Sequence, residues 1–229
     1  MSACQSLEQQ TDALMAELAT VLQAVYRHLD QRGYQFDSPE YTEWVPESRC
    51  EAMLAGLAAE FGPLPYVLQS FYRHIGSVCF CGEAPWLDEF DLPDPLQWFP
   101  LSYLHDDCLA EYHDDPEYRE FHEQRLAAYI AADLYHKEDI SGGAPYTLYL
   151  PQQGANPVIE LTPYGEQISM LDYLALALEY YLFPGCESPD DAAIYLQDAA
   201  LRAQCRQLGQ HCRALAMRYA EQANQPQPG

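Results

Sequence analysis

The densest group of chemistry-bearing side chains lies between positions 105 and 118. It reads His105-Asp106-Asp107-Cys108, then Glu111-Tyr112-His113-Asp114-Asp115, with Glu117 and Tyr118 just beyond. Imidazole, thiolate and carboxylate are the ligand types of divalent transition metals. A metal site needs such ligands to converge on one point, backed by partners of their own. Residues 105–108 are consecutive, and consecutive side chains diverge in helix and strand alike. The stretch therefore reads as a solvated acidic loop, or a patch for a protein partner, ahead of a metal centre. His136 is the second candidate, because it stands just before the Gly142-Gly143 corner. A general base needs a nucleophile to serve, and the chain has no G-x-S-x-G elbow and no G-x-x-x-x-G-K-[ST] phosphate loop. Lys137 is the only lysine, and its neighbours Glu138 and Asp139 offer ordinary ion pairs. His136 reads as a structural hydrogen-bonding residue ahead of a catalyst. No catalytic, cofactor-binding or metal residue is assigned.

Charge points to a different kind of chemistry. The chain carries 35 acids against 11 bases, a formal net charge of -24. No Lys or Arg stands between Arg73 and Arg119, nor between Lys137 and Arg202. Phosphate binding requires Lys and Arg to displace counterions, so the composition argues against a nucleic-acid partner. The same field repels anionic membrane surfaces. It attracts a basic protein and speeds encounter with it. The 18 tyrosines fill core positions and, among carboxylates, suit contacts to Arg- and Lys-rich partners. On this ground the expected partner-binding residues are Asp106, Asp107, Glu111, Tyr112, Asp114, Asp115, Glu117, Tyr118, Tyr135 and His136.

The elements that must carry this surface follow from periodicity and punctuation. Leu7, Leu14, Leu18, Val21, Val25 and Leu29 predict a first helix over 7–31, closed by Gly33. Ser48-Arg49-Cys50-Glu51 has the form of a capping box before a second helix over 49–61. Pro65 opens a third, with Val67, Leu68, Phe71 and Ile75 inward and Gly76 at its end. Strands are expected over 77–81, 97–103, 146–150 and 158–161, the last two adjacent, and 127–132 reads as a strand or a helix tail. Pro116 suggests a helix start, with Tyr118, Phe121 and His122 on one side. A helix over 170–182 faces inward with Leu171, Leu174, Leu178 and Tyr181. Ser188-Pro189-Asp190-Asp191 supplies the capping signal for the C-terminal helix. Its heptad seam Leu201, Cys205, Leu208, Cys212, Leu215 and Tyr219 closes internally or pairs two copies, so monomer and homodimer both stay open. The Pro- and Gln-rich tail 224–229 reads as disordered. The eight cysteines lack zinc or disulfide spacing and read mostly as small buried hydrophobes. No apolar run reaches the ~18 residues of a bilayer span, and residues 1–10 lack a secretory pattern. The expected location is the cytoplasm.

Five ordered motifs resemble the SMI1/KNR4-like (SUKH) superfamily. They are Leu64-Pro65 with Ser70-Phe71-Tyr72 and Gly76-Ser77; Asp94-Pro95-Leu96 with Trp98-Phe99-Pro100-Leu101; Tyr135-His136-Lys137 with Ile140-Ser141-Gly142-Gly143; Pro145-Tyr146 through Leu150-Pro151; and Asp172-Tyr173-Leu174 with Phe183-Pro184-Gly185. Together they span positions 50 to 190, roughly. The family often has Gly-Gly before Phe-Pro-Gly; here Tyr180-Tyr181-Leu182 stands there. The resemblance implies one α+β domain over 1–223, a mixed β-sheet packed with helices, with long N- and C-terminal helices as additions. It also implies a binding protein, of the immunity type that neutralises a bacterial toxin, often a nuclease. The alternatives are a housekeeping regulatory or scaffold protein of the same fold, and a metal-dependent enzyme using His105, Asp107, His113 or His136.

Overall fold

The computed structural model describes residues 5–37, 46–87, 95–130, 146–161 and 166–225. The Gly142-Gly143 corner, Tyr135, His136, Lys137 and the tail 226–229 lie outside them. The fold is α+β, with a long helix at each end. Its helices are α1 (Leu7–Gln31), α2 (Cys50–Phe61), α3 (Tyr66–His74), α4 (Leu109–Asp114), α5 (Pro116–Phe121), α6 (Met170–Glu179), α7 (Pro189–Ala192) and α8 (Ala199–Ala223). A π-helical turn, Tyr103–Cys108, runs directly into α4. The strands are β1 (Gln35–Phe36), β2 (Val78–Cys79), β3 (Gly82–Glu83), β4 (Gln97–Trp98), β5 (Leu126–Ile130), β6 (Tyr146–Leu150), β7 (Val158–Leu161) and β8 (Glu166–Ser169).

The main sheet has the order β5-β6-β7-β8, and β1-β3 and β2-β4 form two small ribbons. Every described pairing is antiparallel, where the sequence suggested a mixed sheet. Strand alternation puts Leu126, Ala128, Leu148, Leu150 and Ile159 into the core with the helices. Ala127 and Tyr149 are register partners facing the other way, in a separate small cluster with Tyr118. β8 passes straight into α6, whose N-cap Ser169 accepts the Asp172 N–H at 3.2 Å. The helical layer is α6 on α8, α8 on α1 and α1 on α3.

The heptad seam of α8 closes inside the molecule. Cys205, Leu208, Cys212, Leu215 and Tyr219 are all buried. Burial pushes the Cys205 and Cys212 thiols up to about 12, so both are inert hydrophobes. The described cysteines are unbridged. A polar pin fixes α1 to both neighbours: Thr11 Oγ1 and Tyr219 Oη are 2.7 Å apart, and Asp12 accepts from Ser70 Oγ at 2.7 Å and Tyr66 Oη at 2.9 Å. Ser70 is fully buried and donates straight to Asp12, so this Ser-Asp pair with His74 nearby is no hydrolytic triad.

Three local expectations are corrected. Strand 97–103 stops at Trp98, because the helix begins at Leu101 and Glu47 accepts the Ser102 N–H at 2.8 Å. The Ser48 capping box does not form: Arg49 is the N-cap of α2, and the Glu51 carboxylate is held by Arg73 at 2.8 Å instead. The Ser188 cap serves only the short α7; Asp198 caps α8, accepting from Ala200 and Leu201.

Gly209 sets how closely α8 approaches α6. A Cβ there would lie 3.2 Å from the Ala175 carbonyl oxygen and 3.4 Å from Leu178 Cβ. Gly209→Leu overfills this contact and is expected to cost about 1–3 kcal/mol. Urea denaturation followed by circular dichroism measures it; an unchanged midpoint would contradict this packing.

Candidate functional site

The acidic stretch is a helix, not a loop. The π turn carries a Leu109 N–H to Leu104 carbonyl bond, and α4 continues its axis. Leu101, Leu104 and Cys108 supply the buried side. The neighbouring side lies along α2. Arg49 donates to Asp106 at 2.9 Å, His113 Nε2 is 3.2 Å from Glu60, and Tyr112 packs edge-on against Phe61 with ring centroids 5.4 Å apart. His105 sits over Gly56, where a Cβ would lie 3.0 Å from its Nε2. Its Nδ1 is 2.7 Å from the Asp106 carboxylate. The bonds from His105 and then Arg49 hold Asp106 below its ordinary carboxylate value.

This packing takes the histidines apart. His105 and His113 meet different carboxylates at opposite ends of the helix, and among the described residues no three His, Cys, Asp or Glu side chains converge as metal ligands. What remains outward is Asp107, Glu111 and Asp114, four and three residues apart on one helical face and all exposed. None of the three has an ion-pair partner among the described residues. Asp115 turns the corner by accepting the Glu117 N–H at 2.8 Å, and Pro116 opens α5. Beyond the corner Glu117 and Glu120 on α5 are exposed as well, as is Phe121 at 82%.

Of the expected contact residues, Asp107, Glu111 and Asp114 thus share one open helical face, and Glu117 is exposed on α5 beyond the corner. Asp106 and Asp115 are exposed but engaged, and Tyr112 is half-buried against Phe61. Tyr118 is corrected: it is 7% exposed and belongs to the interior. Its hydroxyl accepts the Ala127 N–H at 3.0 Å and lies 3.3 Å from the Ala127 carbonyl oxygen. Among the described strands β5 is an edge of the sheet, and one phenol caps both groups of Ala127. Tyr135 and His136 lie outside the described residues. The sequence pattern predicts Phe121 on one side with Tyr118 and His122; the helical turn places 118 and 122 inward and 121 outward.

The bases explain why this face stays uncompensated. Arg32, Arg119 and Arg202 donate to backbone carbonyls of Tyr195, Tyr112 and Leu196 at 2.7, 2.6 and 2.8 Å. Arg73 and Arg125 pair with Glu51 and Glu160, Arg206 donates to the Tyr181 hydroxyl, and Arg213 and Arg218 reach Glu179 and Gln10. With Arg49 on Asp106, Arg27 is the one base without such a bond among the described residues. No helix of the described residues is long and apolar enough to cross a membrane. Comparison with protein-family models, curated proteins and solved structures gives no match.

Tyr118→Phe leaves the Ala127 N–H buried without its acceptor and is expected to cost about 1–3 kcal/mol of stability. Chemical denaturation measures this; a surface contact residue would show no loss.

Proposed function

We propose that this chain is a protein-binding module that engages a basic partner through the exposed acids Asp107, Glu111, Asp114 and Glu117. The observation that carries the reading is the contrast between bases and acids. Almost every described arginine is held by an internal acceptor, while Asp107, Glu111 and Asp114 are exposed and unpaired on one helical side and Glu117 is exposed on the helix after it. Desolvating such a row against arginine or lysine gives charge-assisted hydrogen bonds, and its field steers a cationic surface to it. The same shortage of free cations argues against phosphate backbones as ligands.

We further propose, on the SUKH resemblance, that the partner is a toxin domain and that the chain is an immunity protein acting in the cytoplasm. A backbone feature supports the resemblance. Tyr181 and Leu182 have φ of 52° and 74°, the left-handed conformation that glycine adopts most readily, directly before Phe183-Pro184-Gly185. That is where the family often carries Gly-Gly. The reading needs no catalytic group in this chain.

The test is binding to the product of the adjacent toxin-like reading frame. Wild type is expected to form a complex whose association slows with added salt. Replacing Asp107, Glu111 and Asp114 together by Lys should leave the melting temperature within a few degrees and slow association at low salt by about tenfold or more. A triple variant that binds and protects cells like wild type would refute the surface. Absence of any wild-type complex would refute the toxin partner.

A further inference from the structure

We propose that the groove between the last turns of α8, the start of α6 and the loop after β6 binds an alkylammonium group, either a lysine side chain of a protein partner or a free primary amine. The inference is independent of the α4 face and stands whichever partner that face binds. The groove has a volume of about 490 Å³, in the range of small-ligand sites. Ala155 from the loop and Ala216, Ala220 and Ala223 from α8 line it, together with Tyr219. Short side chains on both walls leave room for an aliphatic stem, and burying that stem against them is favourable. Asp172, half-buried on the first turn of α6, is the only charged residue in the lining.

Helix capping accounts for only half of the Asp172 carboxylate. The Asp172 N–H donates to Ser169 Oγ at 3.2 Å, and Ser169 Oγ donates to Asp172 Oδ2 at 2.6 Å. Oδ1 receives no hydrogen bond from a described residue, and no described cation pairs with the group. A carboxylate that has lost part of its hydration and found no cation is met best by a charged donor. An anionic ligand is repelled, and a neutral apolar one would desolvate Oδ1 without replacing its water. With Ser169 on one oxygen, a compact ammonium suits the free oxygen better than a guanidinium that grips two. The walls are fixed in advance. Gln152 holds both backbone groups of Val158 at 2.7 Å, the Val67 N–H donates to the Ala155 carbonyl at 2.9 Å, and Asn156 Oδ1 accepts the Leu171 N–H at 3.3 Å. Tyr219 is pinned to Thr11, as described above. A ligand entering the groove therefore orders little of the protein.

NMR titration of the full chain at neutral pH tests this, with n-butylamine in one arm and the blocked peptide acetyl-Gly-Lys-Gly-amide in the other. Saturating shifts are expected at the Gly154, Ala155 and Ala220 amides. Asp172→Asn removes the charge while keeping an acceptor for Ser169, and should weaken binding about tenfold or more. Ala220→Leu fills the groove from an exposed position of α8 and should weaken it as much. Saturation by the peptide alone assigns the site to a partner's lysine, and saturation by the amine alone to a free ligand. Saturation by neither, shifts confined to residues 107–114, or wild-type affinity in either variant would overturn the site. Should Asp172→Asn fail to fold, Ala220→Leu and the wild-type titrations decide.

Discussion

The constraint on which the structure turns is a shortage of cations. With 35 acids and 11 bases, pairing cannot neutralise the chain, and exposed pairs contribute little in any case. The arginines serve joints instead. Arg32 reaches from the end of α1 to the carbonyls after α7, Arg202 from α8 to Leu196, and Arg119 from α5 to the open end of α4. The carbonyls of Tyr112 and His113 end α4 without internal donors, those of 194–196 lie between helices, and a charged donor satisfies such groups more strongly than a neutral one. Stability then rests on burial in the α1-α6-α8 layer and the sheet, while the surface charge is left to act outward.

The acidic helix separates two chemistries that its sequence mixes. The side against α2 receives His105, Asp106, Tyr112 and His113, each tied to a neighbour. The open side receives Asp107, Glu111 and Asp114. The same residue types that suggest metal ligation are parted by helical geometry, the histidines spaced along the axis and the unpaired carboxylates turned away from them. Gly56 suits this, since a Cβ there would lie 3.0 Å from His105 Nε2 and the imidazole would have to give way by a few tenths of an ångström. Phe121, on α5 after the corner, is an exposed apolar side chain.

Elements with a complete apolar stripe were legible from sequence. α1, α3 and the seam of α8 carry their signal in cis, and the buried residues of these helices match the spacing. The misread elements take their boundaries from distant groups. The helix at 101 begins where Glu47 reaches the Ser102 N–H, which no local pattern around Trp98-Phe99-Pro100 encodes. Glu51 completes a capping box on paper, but Arg73 on α3 competes for its carboxylate and wins. At the site, the row of acids was visible in the sequence. The inward turn of Tyr118 was not, because it depends on which edge of the sheet lies beneath α5.

The turn after α6 shows how non-glycine residues can hold a backbone that glycine would adopt freely. Left-handed φ at Tyr181 and Leu182 costs about 1–2 kcal/mol per residue. Several contacts oppose that cost. The Leu182 N–H donates to the Ala177 carbonyl at 2.7 Å, closing the helix, and the Leu182 carbonyl accepts the Leu96 N–H at 2.8 Å, joining the turn to the approach of β4. The Leu182 side chain is fully buried, which is worth about 1.5–3 kcal/mol over leaving it exposed. Tyr181 is buried too, with its hydroxyl held by Arg206. Glycine would relieve the strain and lose both side chains from the core. The two non-glycine residues therefore exchange backbone ease for packing, and the turn leaves Phe183 stacked on Tyr195 at 4.2 Å.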